Sequence, residues 1–75
     1  MKTWKVLSII CRNGKQFECI YNSEKEYNQY TLYYKYYESG KHRKKVISYG
    51  NLASVLAWLT DYENNISIQG CVYNG

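Results

Sequence analysis

The chain has 75 residues, with ten Lys and Arg against six Asp and Glu for a formal charge of +4, and it carries ten Tyr, two Trp, one Phe and no Pro. That length holds one domain, and the aromatic content excludes a disordered chain, which would be poor in such residues. The apolar run Val6–Cys11, interrupted by Ser8, falls far short of the roughly 20 residues of a membrane-spanning helix, and no small-residue cleavage site follows it, so a cytoplasmic protein with no membrane partner is expected.

Asn13-Gly14 lies between two apolar runs and predicts a two-residue type I′ turn, which needs positive φ at both central residues. Strand one is placed at about Thr3–Arg12 and strand two at about Lys15–Tyr21. Arg12 then faces Lys15, Ile10 faces Phe17, Ser8 faces Cys19 and Val6 faces Tyr21. A period of two puts Trp4, Val6, Ile10, Phe17, Cys19 and Tyr21 on one face, with Leu7, Ile9, Cys11 and Ile20 on the other. Apolar residues on both faces make strand one an interior or doubly covered strand. Cys11 and Cys19 fall on opposite faces, a poor arrangement for a disulfide. Three cysteines (Cys11, Cys19 and Cys71) without a secretory start predict free thiols in a reducing compartment.

The polar stretch Asn22–Asn28 reads as a loop. Gln29–Glu38 is dominated by Tyr, which favours strands. Ser39-Gly40 supplies a second turn and Lys41–Tyr49 the returning strand, with Glu38 facing Lys41, Leu32 facing Ile47 and Tyr30 facing Tyr49. One face then holds Tyr30, Leu32, Tyr34, Tyr36, Arg43, Lys45, Ile47 and Tyr49. The other holds Thr31, Tyr33, Lys35, Tyr37, His42, Lys44, Val46 and Ser48. Asn51 suits a helix N-cap. Leu52, Val55, Leu56 and Leu59 recur at helical spacing, flanked by Trp58 and Tyr62, so the helix is predicted to run to about Tyr62 and to break at Asn64-Asn65. Ile66–Gln69 reads as a short last strand. The fold class is α+β: a four-stranded antiparallel sheet of two hairpins packed on one C-terminal helix, with room for a short fifth strand, in a single domain over residues 1–75.

Catalysis is not expected. The five glycines are dispersed and form no phosphate-binding loop, His42 is the only histidine, and the cysteine spacing gives no zinc pattern, so neither cofactor nor metal is called for. Glu18 reads as an exposed strand residue, and Glu24 and Glu26 as members of a solvated loop. The chemistry that remains lies in the second hairpin, where Lys35, Arg43, Lys44 and Lys45 accompany Tyr33, Tyr37 and His42. Such cations neutralise phosphate, exposed rings stack on unpaired bases, and a two-stranded ribbon enters a DNA groove. These seven residues are the candidate contacts of a nucleic-acid-binding module. The stretch Tyr30–Trp58 resembles the sheet-plus-helix DNA-binding arm of phage and transposon integrases in its Tyr/Lys hairpin and following helix, although fold order does not assign function. The alternative is a protein-binding inhibitor or regulator of phage or mobile-element type, for example an anti-defence protein, because Tyr and Arg are common anchors of protein interfaces. A homodimer through open sheet edges fits the same residues.

Overall fold

The computed structural model describes residues 2–65 and 71–75. It contains five strands and one helix in the order β1 (Thr3–Cys11), β2 (Gln16–Asn22), β3 (Tyr30–Glu38), β4 (Lys41–Gly50), α1 (Leu52–Asn65) and β5 (Cys71–Asn74). The strands form one antiparallel sheet in the order β4-β3-β2-β1-β5, and the helix packs on one face of it. The expected α+β sheet-and-helix fold is therefore present. β1, apolar on both faces, lies between β2 and β5 as an interior strand.

The register of the first hairpin differs from the expected one by a single residue. Ile10 pairs with Gln16, Ile9 with Phe17, Ser8 with Glu18 and Leu7 with Cys19. The cause is a three-residue loop. The Gly14 N–H donates to the Cys11 carbonyl (2.9 Å), and the Cys11 N–H donates to the Lys15 carbonyl (2.9 Å). Gly14 takes a φ of +88°, whereas Asn13 stays out of the left-handed region and accepts the Lys15 N–H on its side-chain Oδ1 at 3.0 Å. This is a type I turn closed by a left-handed glycine rather than a type I′ pair. Packing explains the choice. A one-residue slip exchanges the faces of a whole strand, and this register puts Ile9 and Cys11 beside Phe17 and Cys19, all four buried. Val6 is the extra residue of a bulge that shifts the ladder, so Trp4 pairs with Tyr21, ring centroids 5.0 Å apart.

The second hairpin has the turn expected of the first: Ser39 and Gly40 both take positive φ, 52° and 77°. Its register matches expectation from Glu38–Lys41 to Tyr33–Val46. A bulge at Ile47 then pairs Leu32 with Ser48, Thr31 with Tyr49 and Tyr30 with Gly50, in place of the expected Leu32–Ile47 and Tyr30–Tyr49 pairs. Ile47 packs against the core, and Tyr49 is turned to the uncovered face, where it is exposed.

Asn51 caps the helix as predicted, its Oδ1 accepting the Ser54 N–H at 2.8 Å. Val55 and Leu59 complete the buried core with Ile9, Cys11, Phe17, Cys19 and Leu32. The helix runs to Asn65, three residues beyond the expected end at about Tyr62, which itself packs against the core. The strand expected over residues 66–69 lies outside the described residues; β5 itself pairs Cys71 with Cys11, Val72 with Ile10 and Tyr73 with Ile9.

The expectation of three free thiols is corrected. Cys11 and Cys71 stand directly opposite each other in the β1–β5 ladder and form a disulfide, and Cys19 is the free cysteine. The bridge fastens the four-residue edge strand β5 to the core. Cross-linking positions 60 residues apart restricts the unfolded chain by about 2–4 kcal/mol. Reduction, or Cys71→Ala, is expected to lower unfolding stability by about that amount in a urea titration.

Tyr73 adds a second tie, its hydroxyl donating to Glu63 Oε1 at 2.7 Å. Burial, with the Glu63 carboxylate beside it, pushes the Tyr73 phenol up to about 12 from 10.0. The fold thus favours the protonated phenol, a contribution complete below pH 10 and lost as pH rises toward about 12. Tyr73→Phe is expected to flatten the pH dependence of stability across that window, measured by denaturant titrations at successive pH values.

Candidate nucleic-acid interface

The two hairpins differ in reach, and the difference makes a notch. β2 begins at Gln16, opposite Lys35, so Tyr36, Tyr37 and Glu38 pair only with β4. The β3–β4 ladder runs three residue pairs past the start of β2, about 10 Å at the rise of a strand. The space beside it is a groove of about 500 Å³ with Asn13–Gln16 on one wall and Tyr34–Tyr37, His42 and Arg43 on the other.

Strand parity sorts the candidate residues between two faces. Tyr33, Lys35, Tyr37, His42 and Lys44 share the face away from the helix, while Arg43 and Lys45 pair with Tyr36 and Tyr34 on the helix side. The seven candidates therefore do not form one patch. Five of them gather on the uncovered face, where Tyr37 packs edge-on against His42 with centroids 5.0 Å apart, and the other two lie on the helix side.

On the uncovered face, Glu18 is the organising group, and its expected exposure is corrected: it is buried at 8 %. β2 is an interior strand, and cations reach over the carboxylate from the adjacent β3 and from β4 beyond it. The Lys44 ammonium donates to Glu18 Oε1 at 2.9 Å, and the Lys35 ammonium lies 3.9 Å from Oε2. Lys44 also sits 5.0 Å from the Tyr33 ring centroid. The hydrogen bond from Lys44 to Glu18 raises the Lys44 pKa, so the ammonium is held charged. Two of the four candidate cations are thus engaged by a carboxylate of the chain itself.

On the helix side the cations meet rings. Lys15 donates to the Tyr34 hydroxyl at 3.1 Å and lies 5.4 Å from that ring's centroid, with Lys45 at 5.8 Å. The hydrogen bond to Tyr34 raises the Lys15 pKa. Tyr36 stacks on Tyr34 at 5.7 Å and 15°, and on the helix Trp58 stacks on Tyr62 at 5.4 Å and 11°. Between these pairs lies a second recess of about 230 Å³, floored by Phe17 and sharing Lys15 and Tyr34 with the first. Asn13, on the wall of the first groove, donates to the hydroxyl of Tyr62, which lines the second, at 3.1 Å.

Lys15, Trp58 and Glu18 were not among the sequence candidates. Trp58 and Tyr62 lie four residues apart, a spacing that puts them side by side on a helix and could have marked them. Lys15 carries no local signal, because its meeting with Tyr34 depends on the register of β2 against β3.

Removing the central carboxylate tests the Glu18 cluster. Glu18→Gln is expected to cost about 1 kcal/mol in a urea titration, a figure reduced by the half-exposure of both lysines. Unchanged stability would reduce the cluster to an ordinary surface ion pair.

Comparison with protein-family models, curated proteins and solved structures finds no match to the chain.

Proposed function

We propose that the chain is a non-enzymatic nucleic-acid-binding module that acts through the basic, Tyr-rich β3–β4 hairpin and the residues facing it. The observation that carries this reading is the setting of Arg43, Lys45 and Lys15 around the rings of Tyr34 and Tyr36. Cations beside accessible rings match a polymer of phosphates and flat bases. Arg43 makes no ion pair among the described residues, so its charge is not offset locally. Lys35 and Lys44, held by Glu18, contribute less, as does Tyr33 beside Lys44, while Tyr37 and His42 line the groove from the uncovered face. On this reading the protein works in the cytoplasm, where reduction of the Cys11–Cys71 bridge would loosen β5 without touching the hairpin. No helix of the described residues is long and apolar enough to cross a membrane.

A second reading, a protein-binding regulator, draws on a different surface. Val46 and Tyr49 on β4, and Ile10 with Val72 across β1 and β5, are exposed on the face the helix leaves bare. Exposed apolar groups at both sides of an open sheet face suit a protein partner or a second copy of the chain.

Fluorescence anisotropy with labelled oligonucleotides separates the two. Three phosphate contacts predict a fall in log affinity with log salt of slope about −2 between about 50 and 200 mM, reduced by about 0.7 in Arg43→Ala. Absence of binding at the low-salt end would refute the nucleic-acid reading and leave the protein-binding one.

A further inference from the structure

The cations and rings on the helix side are arranged in a row rather than a patch. Arg43 and Tyr36 border the notch, Lys15 and Tyr34 lie where the two recesses meet, and Lys45 and Trp58 border the inner recess. Cations and rings thus border both recesses, with Lys15 and Lys45 lying 5.4 and 5.8 Å from the Tyr34 ring centroid. We propose that the two recesses are a single path for an unpaired nucleic-acid strand, with bases against Tyr36 and Trp58 and phosphates on Arg43, Lys15 and Lys45. This rests on the nucleic-acid reading and narrows it to a strand whose bases are free.

Shape and access favour an unpaired strand over a duplex. The notch is about 10 Å long, the rise of the three β3 residues that β2 does not reach. A duplex presents phosphates outward and stacks its bases on one another, so rings set inside a recess cannot reach base faces without unpairing them. The projecting ribbon could insert its tip into a major groove about 12 Å wide. In that pose Lys45 and Trp58, the latter on the helix, would lie behind the tip, and a third of the row would be idle. An unpaired strand uses all of it. Stacking and phosphate neutralisation do not depend on the sugar, so DNA and RNA strands share the chemistry.

Trp58 provides a direct readout. Trp4 pairs with Tyr21 away from both recesses, so Trp4→Phe leaves Trp58 as the one indole. This variant is titrated with unpaired DNA and RNA strands of about ten nucleotides and with a duplex of the same length. Saturation with an unpaired strand is expected to quench Trp58 emission, and duplex binding is expected to be at least about tenfold weaker. Tyr36→Ala, at the rim of the notch, should weaken strand binding by about tenfold in the otherwise unaltered protein, read by anisotropy. Whichever of DNA and RNA binds more tightly supports the path and names its source. Duplex binding as tight as strand binding, or Trp58 emission unmoved at saturation, would overturn the path while leaving nucleic-acid binding in place. Failure of every oligonucleotide to bind at low salt would remove both.

Discussion

The pairing of β1 with β2 is the constraint from which the rest of the molecule follows. The loop Arg12–Gly14 has three residues, and that single extra residue decides which side of β1 meets the helix. With Ile9 and Cys11 turned toward Phe17 and Cys19, the apolar residues of two strands fall on one face and Val55 and Leu59 have something to cover. The alternative register would split that set between the faces. In so small a chain, with little surface to bury, such a division leaves no core. The same pairing turns Cys11 to the position that Cys71 meets, so the edge strand and its disulfide are consequences of it.

It also fixes the electrostatics. Once Phe17 and Cys19 face the helix, Glu18 must face the other way, in the middle of the uncovered side and between two strands. A carboxylate at 8 % exposure needs partners, because an isolated buried charge is costly. Lys35 and Lys44 supply them from β3 and β4. The basic hairpin is thereby divided: part of its charge is spent holding the sheet, and the part on the helix side faces rings instead of acids. A formal charge of +4 conceals this division.

Much of the architecture was legible from local chemistry. Tyr-rich strands, a Ser-Gly turn, an Asn cap and a leucine stripe each act within a few residues, and each appears where its own physics puts it. The errors have a common origin. Asn-Gly suits a type I′ turn, yet it also suits a type I turn closed by a left-handed glycine, and the two differ by one residue of register. The bulge at Ile47 is a similar case: a local ladder yields to the gain from packing an isoleucine under the helix.

The order of elements, the class of fold and a cationic aromatic hairpin were thus determined by residues acting on their near neighbours. The faces of β1, the burial of Glu18, the Cys11–Cys71 bridge and the meeting of Lys15, Tyr34 and Trp58 were decided by the tertiary structure. They depend on contacts between segments distant in the chain, where a one-residue shift reverses every side chain and the burial of the whole core, not any local preference, selects the register.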